Sequence, residues 1–170
     1  ALMTLARFSE AFLVLRAQST GASTAQVPLV MIAMSVAYAL CAFPAGRWVD
    51  RGGARASLYV GCATLFAAHL VLARASTLSA TAVGAVLWGL HLAFTQGLFA
   101  AWVASVVPAE LRGSAFGVFN LACGVALLLA SAAAGVLWDR VSPAATFYAG
   151  AAMIALAALA SDDFVLFPRE

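Results

Sequence analysis

Long apolar runs separated by short polar breaks organise the chain. The runs fall at about 1–18, 25–45, 56–73, 79–107, 113–138 and 144–161. A helix needs about 20 mostly apolar residues to cross the hydrocarbon core of a bilayer, and each run approaches or exceeds that length. The breaks hold most of the turn formers and charges: Gly21-Ala22-Ser23-Thr24, Gly46 to Arg55, Arg74-Ala75-Ser76-Thr77, Pro108 to Arg112, and Asp139 to Pro143. Connections this short make neighbouring helices run antiparallel. The pattern predicts an all-α integral membrane protein whose six transmembrane helices occupy 1–161, with a tail at 162–170.

Composition sharpens this. Of 170 residues, 65% are hydrophobic and only 9% charged, with a mean hydropathy of +1.01. About a quarter of a soluble domain is charged, because a water-facing surface needs charge. A soluble helical bundle would carry charge along each helix, yet residues 113–138 and 144–160 contain none. Lipid is the solvent this composition fits. The net charge of +2 is too small to imply a nucleic-acid partner, and all nine cations are Arg. Cys41, Cys62 and Cys123 lie inside apolar runs, are odd in number and show no metal-ligand spacing, so they read as packing residues. The first apolar run begins at residue 1 without a leader, which predicts an excised or truncated piece.

Arginine placement gives an orientation. Arg47, Arg51, Arg55, Arg112 and Arg169 fall on one side of the predicted topology, and Arg16, Arg74 and Arg140 on the other. The positive-inside rule puts the 46–55 loop in the cytoplasm, and both termini with it. A repeat is also visible. With an offset of 89 residues, Gly46, Asp50, Arg51, Ala56, Tyr59 and Gly61 fall on Gly135, Asp139, Arg140, Ala145, Tyr148 and Gly150. The copies are three spans apart and so lie on opposite membrane faces. The pattern predicts two inverted three-helix repeats, a device of secondary transporters.

The 46–55 segment reads Gly-Arg-Trp-Val-Asp-Arg-Gly-Gly-Ala-Arg. Gly46 permits close helix approach, and Gly52-Gly53 permits a tight turn with positive φ. Asp50 can accept hydrogen bonds from a helix N-terminus or pair with an Arg. The pattern at Gly46, Asp50, Arg51, Gly53 and Arg55 resembles the cytoplasmic signature loop of the major facilitator superfamily, found there between the second and third helices of each six-helix half. Glu110-Leu111-Arg112-Gly113-Ser114-Ala115-Phe116-Gly117 is similar to the start of the fifth helix of a half, and the span beginning at Arg7-Phe8-Ser9-Glu10 is similar to the seventh helix of bacterial members. The resemblance implies a C-terminal six-helix half of a secondary active transporter in a bacterial inner (plasma) membrane. Such a half moves a small solute by alternating access with proton coupling, and is completed by an N-terminal half or a second copy. It also implies a cytoplasmic latch at Gly46, Asp50, Arg51, Gly53, Arg55, Glu110 and Arg112. The alternative is a non-transporting module that assembles with a partner.

Polar residues within spans are costly in lipid and usually face the bundle interior. In the first span Arg7 and Glu10 stand one helical turn apart, within pairing distance. The resemblance places that helix on the central cavity, where a carboxylate could exchange a proton and a guanidinium could meet an anionic group. In the fourth span Trp88, His91 and Thr95 share a face, with Gln96 beside it, and His91 could relay protons. Tyr38 and Asn120 complete the candidate solute or proton pathway. His69 reads as a packing residue on an outer helix, and the sixth span, with Thr146 and Tyr148 near its start, as lipid-facing. Nucleotide-binding, hydrolase and metallopeptidase motifs are missing, so the reading is of a non-enzyme without cofactor or metal, driven by a gradient.

Overall fold

The computed structural model describes residues 2–161, with side chains for 3–159, and within them every element is helical. Two short helices come first, α1 (Leu2–Ala6) and α2 (Ala11–Ser19). The long helices follow: α3 (Val27–Trp48), α4 (Ala54–Arg74), α5 (Leu78–Val106), α6 (Arg112–Arg140) and α7 (Pro143–Ser161). Three stretches are long and apolar enough to cross a membrane: Val27–Arg74, Leu78–Val106 and Ala109–Arg140. The first holds two helix lengths, since Gly52 turns the chain between α3 and α4 at φ +89°. Pro143–Leu159 is a shorter apolar helix. The tail at 162–170 lies outside the described residues.

Local chemistry sets the helix ends. Thr77 Oγ1 accepts the Ala80 N–H at 3.3 Å at the start of α5. Ser142 Oγ accepts the Ala145 N–H at 3.0 Å, just ahead of Pro143 at the start of α7. Gly53 follows Gly52 into α4 where an added Cβ would lie 2.6 Å from the Trp48 ring. The expected Gly52-Gly53 turn is therefore formed, one glycine serving dihedral freedom and the other space. Gly46 differs from expectation: nothing lies within 4 Å of its Cβ position, so no packing among the described residues asks for glycine there.

One element departs from the hydropathy pattern. The 1–18 run is not one helix: it breaks at residues 7–10. α1 packs on α6 and α7, and α2 on α3 and α5. The core lies where these pairs meet, built from Phe8, Leu13, Leu65, Leu72, Trp88, Phe147 and Ile154, all nearly inaccessible. α5 holds the centre. Gly89 sits directly against the Met34 carbonyl of α3, and Gly84 against Leu72 of α4. α4 packs in turn on α7. Ser57, Leu58, Gly61, Cys62, Leu65 and Ala68 are buried on α4, and on α7 so are Thr146, Phe147, Gly150, Ala151, Ile154 and Ala157. Each α7 residue is the 89-residue mate of its α4 counterpart.

The outer corner of this bundle is stitched by one cation. Arg16, in the last turn of α2, donates from Nε to the Leu72 carbonyl at 2.8 Å and from Nη2 to those of Ala73 and Ala75 at 3.1 and 2.9 Å. These carbonyls lie at the C-terminal end of α4, where the helix runs out of its own donors; that of Leu72 also takes the Ala75 N–H at 3.4 Å. In contrast, α6 buries only a stripe of Ala126, Ala130 and Ala134, and leaves Val118, Leu121, Leu128 and Leu129 exposed. α3 likewise exposes Leu29, Ile32, Leu40 and Phe43.

The Gly89 contact makes a prediction. Gly89→Ala must push α3 away from α5 at backbone level and is expected to lose about 1–3 kcal/mol. Gly97→Ala on the same helix meets nothing within 4 Å and is expected to be neutral or slightly stabilising. Thermal unfolding of the two variants in detergent measures the difference.

Candidate functional site

The break between α1 and α2 is the most unusual feature of the backbone. In an unbroken helix the Ala6 carbonyl would accept the N–H of Glu10, four residues on. Instead His69, from the middle of α4, donates its Nε2–H to the Ala6 carbonyl at 3.0 Å. The Ser9 N–H goes to Ser131 Oγ of α6 at 3.0 Å, and Ser9 Oγ accepts the Ala11 N–H at 3.2 Å. Arg7 N–H closes α1 tightly on the Thr4 carbonyl at 3.2 Å. Thr4 Oγ1 also reaches Cys123 Sγ of α6 at 3.7 Å.

Phe8 fills the space the break opens. Its ring lies inward, 5.0 Å from Phe12, 5.3 Å from His69, 5.6 Å from Phe147 and 5.8 Å from Trp88, centre to centre. His69 meets Trp88 edge to face at 5.3 Å. Among the described residues, His69 Nδ1 and Trp88 Nε1 are the buried side-chain nitrogens without a hydrogen-bond partner. A carbonyl can only accept, so His69 carries its proton on Nε2 and presents a bare Nδ1. This cage was not expected from the sequence.

Arg7 and Glu10 flank Phe8 and Ser9 in the unwound segment, both half-buried. The ion pair expected between them does not form among the described residues, because the helical spacing that would bring them together is lost. Asn120 is exposed on α6, on the stripe that continues through Cys123 to Ser131. It therefore shares a face with the two α6 side chains that touch α1 and the break.

The polar face of α5 has a different surrounding. Trp88, His91 and Thr95 do share a face, as their spacing predicts, but that face is buried. His91 donates its Nδ1–H to the Gly61 carbonyl of α4 at 2.8 Å, and Thr95 Oγ1 bonds the His91 carbonyl at 2.8 Å. His91 and Thr95 belong to the α4–α5 contact, and Trp88 packs on both His69 of α4 and Phe8. Gln96, one residue on, is exposed, and Tyr38 is half-buried against the core. The structure thus brings Arg7, Glu10 and the Asn120 stripe toward one region, which Trp88 reaches through Phe8, and leaves His91 and Thr95 in another.

At the α3–α4 turn Asp50, Arg51 and Arg55 are exposed, and so are Glu110 and Arg112 at the α5–α6 connection. Arg47 lies 5.7 Å above the Phe43 ring. Among the described residues no group of three or more His, Cys, Asp or Glu is arranged to hold a metal ion.

Helices of this length and apolarity around a polar break define a polytopic membrane protein. The family model of the Major Facilitator Superfamily matches residues 2–170, and the chain belongs to that family. It is 28% identical over 165 residues to an uncharacterized MFS-type transporter of Methanocaldococcus jannaschii, covering 94% of this chain and 41% of that protein. It is also 28% identical over 117 residues to uncharacterized proteins of Mycobacterium bovis and Mycobacterium tuberculosis, covering 69% of this chain and 28% of each. The chain thus spans less than half the length of these relatives. No solved structure matches it significantly.

His91 and Gln96 separate the buried face from the exposed one. His91→Phe removes the buried bond to the Gly61 carbonyl, which keeps Thr64 as a partner, and is expected to lose about 0.5–1.5 kcal/mol. Gln96→Ala is expected to stay within about 0.5 kcal/mol of the parent. Chemical denaturation of the detergent-solubilised protein reads both.

Proposed function

We propose that the chain is one six-helix half of a secondary active transporter, which moves a small solute across a membrane by alternating access with proton coupling. The observation that carries this reading, in a chain of this family, is the break at Arg7–Glu10. A guanidinium and a carboxylate stand on unwound backbone between two apolar helices, α1 and α2. Discontinuous helices near the bilayer midplane recur at the solute and ion sites of secondary transporters. The carboxylate offers a proton-exchanging group and the guanidinium a partner for an anionic one. Tyr38, Gln96 and Asn120 belong to the same pathway in this reading, whereas Trp88, His91 and Thr95 support it from behind as the wall between α4 and α5.

In the proposed topology α1 and α2 together make the first crossing, and α3 to α7 make the other five. The two halves of this bundle are inverted three-helix repeats. The recurrence of the α4 burial pattern on α7 supports that arrangement, since mates related by a two-fold axis in the membrane plane bury equivalent faces. The Arg asymmetry favours both termini in the cytoplasm, and the resemblance to bacterial family members favours a bacterial inner membrane. The broad exposed faces of α3 and α6 are then covered by lipid and by a complementary half, either an N-terminal one or a second copy.

The exposed charges at the α3–α4 turn and the α5–α6 connection share one membrane face in this topology. There Asp50 with Arg51, Arg55, Glu110 and Arg112 acts as a latch, with the Gly52-Gly53 turn presenting Asp50 to a helix N-terminus across the cleft. Asp50→Asn is expected to shift the conformational balance by about 1–3 kcal/mol, roughly 5- to 150-fold. Asp139→Asn, its mate on the other face, is expected to shift it less. Thiol accessibility of cavity cysteines measures both, and an unchanged pattern in Asp50→Asn removes the latch. In proteoliposomes under an imposed pH gradient, the chain with its complementary half is expected to transport. Solute uptake by the isolated monomeric chain refutes the half-transporter reading.

A further inference from the structure

We propose that His69 is a positioning residue: its bond to the Ala6 carbonyl, with Gly150 making room for its ring, holds the first span broken and so sets where Arg7 and Glu10 stand. The inference rests on the reading of that break as the solute site and extends it to the outer helices, α4 and α7.

The argument begins with what the break leaves unpaired. A helix that stops at Ala6 exposes carbonyls that water cannot reach at this depth, and each unsatisfied group is strongly unfavourable. An unbroken helix satisfies the Ala6 carbonyl with the N–H of Glu10. The His69 bond compensates the Ala6 carbonyl for the intrahelical partner it loses, so making it lowers the cost of the break and losing it raises that cost. Ser131 on α6 plays the matching part by taking the Ser9 N–H. The side chain of Phe8 adds the packing term, because it enters the cage of His69, Trp88 and Phe147 where the backbone leaves helical geometry.

The ring of His69 is held in place by its surroundings. It is fully buried, and Gly150 of α7 lies directly beneath it. A Cβ at position 150 would fall 2.6 Å from Nε2 and 2.8 Å from Nδ1. Only glycine leaves the ring where its Nε2 meets the Ala6 carbonyl. The outer pair α4–α7 thereby fixes the backbone of the first span without contributing any side chain to the solute.

The test uses the transporter assembled with its complementary half, carrying single reporter cysteines at Leu5→Cys or Ala11→Cys on either side of the break. In His69→Leu, which has no donor, and in Gly150→Ala, which displaces the ring, reporter labelling rates are expected to change by about 5-fold or more. His69→Gln restores a side-chain donor and is expected to recover part of the parent pattern. Arg16→Ala, which removes three hydrogen bonds far from the break, is expected to lower thermal stability while leaving the labelling rates unchanged. Unchanged labelling in folded His69→Leu and Gly150→Ala protein overturns the proposal.

Should either variant fail to fold, imidazole ¹⁵N resonances of the unsubstituted protein decide. An Nε2–H tautomer of His69 hydrogen-bonded to a carbonyl supports the proposal, and an Nδ1–H tautomer removes the donor it needs and overturns it. Reporter labelling does not require transport. A responsive reporter in a protein that moves no solute therefore refutes the transporter reading alone, and an unresponsive reporter in an active transporter refutes the role of His69 alone.

Discussion

Everything in this fold answers to one constraint: at membrane depth a backbone N–H or carbonyl must find its partner within the protein. Unbroken helices meet it automatically, so the informative places are those where a helix stops. Arg16 closes the end of α4 with three bonds from one guanidinium. His69 and Ser131 satisfy the break between α1 and α2 from two different helices. His91 reaches the Gly61 carbonyl, which Thr64 also partners. Nearly every cationic or imidazole side chain buried in this bundle is thus committed to backbone rather than to another charge.

Glycine sets how close the helices come, and closeness in turn decides which carbonyls a side chain can reach. Gly61 meets Thr95 and faces His91, and Gly150 lies under His69. These two glycines are mates in the repeat, and each seats a histidine from a different helix. Apolar contact with lipid gives helices no strong reason to associate, so small residues and polar bonds carry the specificity. The same logic applies to Ser57 and Thr146, another pair of mates. Both are buried, and each bonds a carbonyl of a neighbouring helix, Phe94 at 2.9 Å and Ala134 at 3.3 Å.

The sequence made much of this legible, for identifiable reasons. Hydropathy located α3 to α7 within a few residues, because membrane-length apolar runs with charged breaks have few competing explanations. The Gly52-Gly53 turn was readable because positive φ selects glycine. The break at residues 7–10 was not, since it contains neither Pro nor Gly and its cause lies in His69 and Ser131, distant in sequence. Phe8 looked like one more apolar residue of a span. The shared face of Trp88, His91 and Thr95 was correctly spaced, but helical periodicity cannot say whether a face meets a cavity or another helix. An offset of 89 residues drew attention to Gly61 and Gly150 as a repeat signal, and only packing showed that each accommodates an imidazole.

The unequal attachment of the helices bears on how the bundle can move. α4, α5 and α7 interlock through buried rings and glycine contacts, and α2 is tied to them by Arg16. α6 is held by an alanine stripe, by the Trp138 ring against Phe12 and Phe147, and by three polar contacts: Ser131 to the Ser9 N–H, Cys123 to Thr4, and the Ala134 carbonyl to Thr146. Alanine faces slide more readily than interdigitated large side chains, because little volume must be displaced. A displacement of α6 therefore acts first on Thr4 and Ser9, the residues on either side of Arg7. His69 resists from the opposite side by keeping the Ala6 carbonyl. The segment that carries Arg7 and Glu10 is thus held from both sides, by α6 through Ser131 and by α4 through His69.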